Sequence, residues 1–227
     1  MNPQRIVTRL RDNVRRYGLR ATLHDVECLL LKRISRLEIL KAMAIELGDL
    51  DDPQHFEAPG FDSRFVTPAE LEPFAQDPRY DLSVDFLGEA ARRGDRCHAL
   101  FEGPVLAAYG WYSQRPTPID EDFVLHFDPA YTYMYKGLTL PAYRGKRLHA
   151  VGMCRALRAF TEEGQKGLVS YVLSNNFASL KSVARMGYRI FGDVYLVHAG
   201  GRSFAFATKG CRRYGFRVES AGVNRIH

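Results

Sequence analysis

A chain of 227 residues is long enough to bury a hydrophobic core without disulfides or structural metals, and it accommodates one medium domain with an extension. Its 46% hydrophobic and 26% charged residues exclude collagen-like, low-complexity and wholly disordered proteins. The net charge of +6 favours anionic partners such as phosphorylated cofactors, nucleic acids or lipid headgroups, and charge alone does not choose among them.

Residues 1–58 are predicted to form a basic amphipathic helical extension followed by an acidic linker. Two interpretations of the helix stay open: it packs on the main domain or on a second subunit, as in a homo-oligomer, or it lies on a membrane surface as a peripheral contact. Residues 48–62 are acidic and interrupted by Pro and Gly, which places a domain boundary there. The apolar residues at roughly helical spacing are Val26, Leu29, Leu30, Ile34, Leu37, Leu40 and Ile45.

A single domain is predicted over residues 59–210, followed by a C-terminal tail over residues 211–227. Its first helix begins at Thr67 with Pro68 at the first helical position, the usual chemistry of a helix N-terminus. The strands are predicted at 64–67, 96–101, 105–113, 123–127, 131–140, 167–173, 188–197 and 203–208, and the longer helices at 83–92, 147–163 and 176–186.

The predicted helix at 147–163 connects two strands. A helix that links two strands of one sheet is a crossover, so the strands at 131–140 and 167–173 are expected to lie parallel at the centre of the sheet. The short turn between the strands at 96–101 and 105–113 predicts an antiparallel hairpin. The whole pattern is typical of a mixed α/β (α+β) fold.

The basic turn before the crossover helix is predicted to bind an anion. Pro141 ends the preceding strand, Gly145 permits a sharp turn, and the N–H groups of the first helical turn point at whatever the turn holds. Arg144, Lys146 and Arg147 add positive charge. On the residues alone, a phosphate or pyrophosphate ligand and a solvated basic turn without a ligand both stay open.

This turn resembles motif A of the GNAT superfamily of acyl-CoA N-acyltransferases, whose usual form is Pro-x-x-Arg/Gln-x-x-Gly-x-Gly/Ala after a central strand. Pro141 and Arg144 match the motif. The sequence departs from it at both glycines, which fall on Arg147 and His149. Because the contacts of the family here are mainly main-chain N–H groups, side chains can change if they point away from the phosphates.

A second segment resembles motif B of the same superfamily, an Asn-x-x-Ser/Ala helix that ends in Gly-Phe or Gly-Tyr. It runs from Asn176 and Ser179 to Gly187 and Tyr188. The two motifs occur in the order of the family, separated by a helix and a strand, which makes the pair more specific than either motif alone. The resemblance covers roughly residues 61–208.

The resemblance implies a mixed central sheet, splayed between its two central strands and flanked by helices. It also implies acetyl-CoA, or another acyl-CoA, as cosubstrate and no metal. The pantetheine arm would enter the splayed gap and pair with main-chain groups of Leu138, Thr139 and Leu140. The other cofactor-binding residues carried over from the two motifs are Arg144, Gly145, Lys146, Arg147, Leu148, His149, Asn176 and Ser179.

The implied activity is direct transfer of an acyl group to an amine of a small molecule or sugar, without a covalent enzyme intermediate. The frequent general acid of the family is a tyrosine four residues before the motif B glycine, and that position is Val183 here, with Ser182 as the neighbouring candidate. Tyr135, which shares a strand face with Tyr131 and Tyr133, is the candidate base. His126 and His98 on neighbouring strands, and a water relay, stay open as the base. For each of these tyrosines and histidines the alternative is a packing residue or a wall of the acceptor site.

Two other classes of function stay open. The altered glycines and Val183 are compatible with a coenzyme A-binding sensor or scaffold that has lost catalysis. The basic N-terminus is compatible with a nucleic-acid or membrane-surface module, but such a module leaves both motifs unexplained, so no nucleic-acid partner is expected.

The cysteines and the N-terminus indicate the compartment. Cys28, Cys97, Cys154 and Cys211 show neither zinc-site nor Cys-x-x-Cys spacing, so reduced and mostly buried thiols are expected. No stretch approaches the ~18 uninterrupted apolar residues of a membrane span, and the N-terminus lacks the apolar segment of a secretion signal. A cytoplasmic protein is therefore expected.

Overall fold

The computed structural model describes residues 11–35, 37–50, 56–200 and 202–221, with the side chains of residues 28–35 outside this description. Its helices are a short segment over residues 11–17, α1 (Leu19–Ser35), α2 (Pro68–Leu71), α3 (Val84–Arg93), α4 (Leu148–Glu162) and α5 (Phe177–Arg185). Its strands are β1 (Glu38–Ile45), β2 (Asp62–Val66), β3 (Arg96–Glu102), β4 (Val105–Ser113), β5 (Thr117–Pro118), β6 (Phe123–His126), β7 (Tyr131–Thr139), β8 (Gly167–Leu173), β9 (Arg189–Ala199), β10 (Arg202–Ala207) and β11 (Arg217–Ser220).

The helices begin at the capping residues that the sequence contains. The side chain of Thr67 accepts from the N–H of Glu70, and the carboxylate of Glu70 accepts in return from the N–H of Thr67 at 2.8 Å. This main-chain hydrogen bond, followed by the guanidinium of Arg64, lowers the pKa of Glu70 to about 2. The side chains of Ser83 and Asn176 likewise accept from main-chain N–H groups at the start of α3 and α5, so local chemistry fixes where these three helices start.

Eight strands form one sheet in the order β10-β9-β1-β8-β7-β4-β3-β2. Neighbouring strands are antiparallel except β7 and β8, which are parallel as the crossover helix α4 predicts. Their pairing covers only residues 131–133 and 167–169, although β7 continues to Thr139 and β8 to Leu173. The expected mixed sheet that splays at its centre is therefore confirmed.

β1 lies in the middle of this sheet, where the apolar spacing predicted a helix. The helix prediction is correct as far as Ser35 and wrong for Glu38–Ile45, which pairs antiparallel with β8 on one side and β9 on the other. Leu40 packs into the hydrophobic cluster on one face of the sheet and Met43 into the cluster on the other. A strand buried on both faces is apolar throughout, so periodicity alone does not distinguish it from a helix.

The expected domain boundary at residues 48–62 lies between two strands of one sheet, because β1 precedes it and β2 follows it. The expected C-terminal tail is also part of the domain: β11 pairs with β6, and Tyr214 and Phe216 are buried in the core. The extension and the tail are thus joined to the domain by main-chain pairing and burial. The side chains of Leu29, Leu30 and Ile34, on which the amphipathic pattern partly rests, lie outside the described residues.

The two faces of the large sheet are covered by different layers. On one face α4 packs through Met153, Leu157 and Phe160. On the other face the three-stranded sheet β11-β6-β5 covers the half with β1 and β9, and α3 covers the half with β3 and β4. Because β7 lies between these halves, it has packed layers on both faces and is held firmly in place.

Three further observations concern the class of protein. Cys97, Cys154 and Cys211 are buried thiols, as the spacing predicts, and the side chain of Cys28 lies outside the described residues. No helix in the part of the chain that the structure describes is long and apolar enough to cross a membrane. Over the same ranges, no three His, Cys, Asp or Glu side chains are grouped so that they could hold a metal ion.

Candidate active site

The turn over residues 141–149, which we call the cradle, connects β7 to α4. Gly145 has a φ of +87°, and Arg147, the residue that caps α4, has a φ of +61°. Both values lie in the left-handed region that favours glycine. The backbone therefore keeps a glycine-type conformation at the first glycine position of motif A, although the residue there is arginine.

The cradle opens on a cavity of about 880 Å³, which we call the basic cavity. Residues 147–150, the first turn of α4, line it, and the N–H groups of a first helical turn have no acceptor within their own helix. Part of α5 lines it as well. The basic cavity combines main-chain donors with positive charge, which are the properties that bind phosphate groups. Its cationic lining residues are Arg144, Arg147, Lys181 and Arg185.

A bulge in β7 lies where this strand separates from β8. The register with β4 passes from Met134 to Lys136, so Tyr135 is the extra residue. At the same level the hydroxyl of Ser170 donates to the main-chain carbonyl of Met134 at 2.8 Å. Beyond this hydrogen bond between Ser170 and Met134, a second cavity of about 320 Å³ lies between β7 and β8. We call this cavity the gap.

Main-chain groups of β7 alternate between β4 and the opposite side, where the gap lies. The N–H of Leu140 donates to the carbonyl of Ala107 at 3.0 Å, so Leu140 and, by alternation, Leu138 turn their main-chain groups towards β4. Gly137 and Thr139 turn theirs the other way. The structure therefore does not support pairing of a pantetheine arm with Leu138 and Leu140, and only Thr139 among the three expected residues is oriented for it.

α5 separates the gap from the basic cavity. The two cavities meet at His149 and Met186, which line both. The two cavities are therefore neighbours, with His149 and Met186 at their boundary. The residues of α5 and its cap on the gap side are Asn176, Ser179 and Val183, and those on the other side are Ala178, Lys181, Ser182, Ala184 and Arg185.

His149 stands at this junction, in the second glycine position of motif A. Its ring lies against β7: a Cβ atom added to Gly137 would come within 2.8 Å of Cε1 of His149. Burial lowers the pKa of His149, so the imidazole is neutral at neutral pH. The side chain therefore lies against β7 at the boundary between the two cavities.

The two candidate catalytic residues are not brought together by the fold. Tyr135 lines the gap, and its hydroxyl donates to the carboxylate of Asp95 at 2.9 Å. Burial, and then the charge of Asp95, raise the pKa of Tyr135, so its phenol stays protonated near neutral pH and is poorly suited to act as a base. Ser182 lines the basic cavity on the other side of α5, away from Tyr135, which does not support it as the acid.

The remaining predicted residues surround the two cavities, with one exception. The ammonium of Lys146 lies 5.1 Å from the ring centre of Tyr143 and 5.4 Å from that of Phe61, so it points along the outside of the cradle. Asn176 also caps α5, accepting from the N–H of Ser179 at 3.2 Å. Those in the basic cavity are Arg144, Gly145, Arg147, Leu148 and His149, and those in the gap are Asn176 and Ser179.

The residues of the basic cavity that sequence reasoning missed include two cations of α5 and two residues of the predicted extension. Lys181 and Arg185 lie one helical turn apart on α5, and a helical projection of motif B would have found them. Tyr17 and Asp49 belong to the predicted extension, and only the tertiary fold brings them to the cavity. Asp49 is held there by Arg189, at 2.9 Å.

No protein-family model matches the sequence, and no curated protein sequence matches it. Solved structures do match. A GCN5-related N-acetyltransferase from Sphaerobacter thermophilus aligns over 74% of this chain and 53% of its own, with a TM-score of 0.51 and 12% identity. A functionally unknown conserved protein from Staphylococcus epidermidis aligns over 74% of this chain and 65% of its own, with a TM-score of 0.51 and 9% identity.

The chain thus spans between about half and two thirds of the length of these two structures. At such identities the likeness concerns the fold. The splayed mixed sheet and the crossover helix α4 are those that the resemblance of the two motifs implied. The chain has the fold of the GNAT superfamily of N-acetyltransferases.

Proposed function

We propose that the chain is an acyl-CoA-dependent N-acyltransferase that uses acetyl-CoA as donor and an amine of a small molecule or sugar as acceptor. The observation that carries this proposal is the adjacency of the two cavities: the gap opens at a bulge of β7, and it shares the lining residues His149 and Met186 with the basic cavity. An elongated molecule with a phosphorylated half and a neutral arm fits this arrangement.

The basic cavity suits the nucleotide and diphosphate half of coenzyme A. Main-chain N–H groups of the first turn of α4 would bind the pyrophosphate, and Arg144, Lys181 and Arg185 would add charge-assisted hydrogen bonds. The volume of about 880 Å³ lies within the range of ~300–1,000 Å³ that is usual for ligand pockets.

The gap suits the pantetheine arm. Gly137 presents main-chain groups to the gap on the side away from β4, and Thr139 does the same at the basic cavity. Asn176 and Ser179 add polar side chains from α5 and its cap. The arm has to pass His149 to reach the bulge, because this residue lines both cavities. The side chain of His149 therefore controls how easily a thioester enters the gap.

Transfer would take place beside the bulge. The amine nitrogen attacks the thioester carbonyl carbon, a C–N bond forms, and the C–S bond breaks to release the thiolate. Main-chain N–H groups that the bulge leaves outside the β4 ladder, near Tyr135, would stabilise the oxyanion. The amine gives its proton to water, and Tyr188, whose pKa is raised by burial, keeps its proton and can donate a hydrogen bond to the thiolate.

The acceptor would approach through the aromatic side of the gap. Tyr135 and Tyr171 line it, and burial raises the pKa of Tyr171, so that this wall is uncharged near neutral pH. The ammonium of Lys136 is paired with Asp81 at 2.6 Å. A neutral aromatic wall with paired charges beside it fits an uncharged or cationic acceptor better than an anionic one.

A second candidate function, a coenzyme A-binding protein without turnover, is favoured by one specific observation. Val183 lines the gap at the position where the superfamily often has its tyrosine acid, and the ring of His149 lies against Gly137 at the boundary between the two cavities. Neither feature weakens the basic cavity, so this candidate predicts binding of coenzyme A without acyl transfer.

The two candidates are separated by measuring melting temperature and thiol release on the same protein. We expect acetyl-CoA to raise the melting temperature in a dose-dependent way, because a ligand that binds only the folded state stabilises it. We also expect free thiol to form faster with at least one amine from a panel of amino sugars, polyamines and amino acids. A melting shift without amine-dependent thiol release would favour the binding protein, and the absence of any shift would overturn both candidates.

A further inference from the structure

The segment that precedes β1 reaches the basic cavity, although neither GNAT motif includes it. The ring of Tyr17 is half-buried and lines this cavity together with Ala178 and Lys181 of α5. Its ring centre lies 5.5 Å from that of Phe177, the first residue of α5. A planar side chain thus forms part of the cavity wall beside α5.

Tyr17 is held in this place by polar contacts around a buried carboxylate. Asp25 of α1 has no exposed surface, and it accepts from the amide of Asn13 at 2.9 Å and from the amide of Asn175 at 3.3 Å. His24 contacts the hydroxyl of Ser174 at 3.1 Å. These contacts join the helical segment around Tyr17 to the loop between β8 and α5, so Tyr17 and α5 form one wall.

The position of Tyr17 indicates which half of coenzyme A it would meet. Tyr17 lines the basic cavity and is absent from the described lining of the gap, where the pantetheine arm would lie. Its neighbours in the cavity wall include Lys181 and Arg185, the cations of α5. The nucleotide half carries phosphates for these cations and a purine ring whose faces stack on aromatic side chains.

We propose that Tyr17 is a further binding residue, whose ring stacks on the adenine of coenzyme A and closes the outer side of the basic cavity. This inference rests on the proposed function, because it requires that the cavity binds coenzyme A. It adds that the N-terminal helical segment is part of the binding site. The arm and the thioester lie in the gap, so Tyr17 acts on affinity and not on the chemical step.

The first test compares three variants by calorimetric titration with coenzyme A. Tyr17→Ala removes the ring and should weaken binding about tenfold, the size of one base–aromatic stacking contact. Tyr17→Phe keeps the ring and should bind within about twofold of the unchanged protein. Leu19→Ala, at the first residue of α1 and with a side chain that is 65% exposed, is the matched control and should bind normally. Unchanged binding by Tyr17→Ala would overturn the proposal.

The second test distinguishes stacking on adenine from a contact with another part of the ligand. In Tyr17→Trp the new indole should lose fluorescence when coenzyme A binds and keep it when pantetheine, which has no adenine, is added. The unchanged protein, whose single Trp111 is fully buried, gives the background signal. Constant fluorescence at saturating coenzyme A would overturn the stacking, whereas failure of the unchanged protein to bind coenzyme A would overturn the proposed function instead.

Discussion

Arg147 holds the first turn of α4 in a backbone conformation that is unfavourable for arginine. Its φ of +61° lies in the left-handed region, which costs most L-residues about 1–2 kcal/mol. Arg147→Gly and Arg147→Val both remove the guanidinium, so the difference between them isolates the backbone. We expect the free energy of unfolding in urea to be about 1–2 kcal/mol lower for the Val variant. Equal free energies would show that the cradle has another conformation.

The contact between Gly137 and His149 is testable in the same way. A methyl group on Gly137 would lie 2.8 Å from Cε1 of His149, and overpacking of this kind costs about 1–3 kcal/mol. His149→Ala removes the obstructing ring, so Gly137→Ala should cost less in that background. A double-mutant cycle measured by urea unfolding should give a coupling of roughly 1 kcal/mol or more. Additive effects would mean that the ring does not lie on Gly137.

At the scale of single residues, the sequence was sufficient to predict roles that involve only the residue's own backbone or its near neighbours in the chain. Pro141 and Gly145 form the expected turn, and Asn176 caps α5, because each acts on its own backbone or on a neighbour a few positions away. The orientation of His149 depends on its contact with another strand, and the pKa of Tyr135 depends on Asp95. Such contacts between distant parts of the chain are not encoded in a motif.

At the scale of elements, periodicity was reliable where an element has one buried face. The predicted helices 147–163 and 176–186 agree with α4 and α5 to within one residue at each end, and β8 has the predicted bounds. β1 was misassigned because Met43 and Leu40 are buried on opposite faces of the sheet, which erases the alternation of a strand.

The central position of β1 predicts different outcomes for two N-terminal deletions. Deletion of residues 1–36 leaves β1 intact, so the remaining chain should unfold cooperatively on heating. Deletion of residues 1–46 removes the strand between β8 and β9, and each large buried side chain lost costs about 1.5–3 kcal/mol. The sum over Leu40, Met43 and Ile45 is of the order of the whole stability of a domain. We therefore expect no cooperative transition, and its persistence would show that β1 is dispensable.

At the scale of the whole molecule, stability should depend on pH through a buried histidine. Burial, and then the nearby arginines, lower the pKa of His98 from 6.5 to about 4. Between these two pH values the unfolded chain binds more protons than the folded one. The free energy of unfolding is therefore highest above pH 6.5 and decreases as the pH falls, by up to roughly 3 kcal/mol. The lowered pKa of His149 acts in the same direction.

This pH effect can be assigned to one residue. Urea unfolding at a series of pH values should show a steep loss of stability on acidification in the unchanged protein and a shallower one in His98→Gln, which cannot take up the proton. Parallel curves for the two proteins would contradict the assignment to His98.

The architecture as a whole was only partly predictable from the sequence. The mixed sheet, its parallel central pair and its splay follow from the order of elements and from the two motifs. The order of elements and the motifs do not predict that the N-terminal and C-terminal segments belong to the domain. Their place in it depends on the pairing of β1 with β8 and of β11 with β6. Tyr17 and Asp49 line the basic cavity for the same reason, because contacts between distant parts of the chain bring them there.

The central claim, that the cradle and the basic cavity bind an acyl-CoA, is tested most directly by calorimetric titration of the full chain with acetyl-CoA. Arg144→Glu inverts a charge in the cavity, whereas Arg158→Glu inverts an exposed charge farther along α4 that pairs with Glu162 at 3.3 Å. We expect saturable binding by the unchanged protein and by Arg158→Glu, and affinity at least about tenfold lower for Arg144→Glu. Equal affinity of the two variants, or no binding by the unchanged protein, would contradict the account.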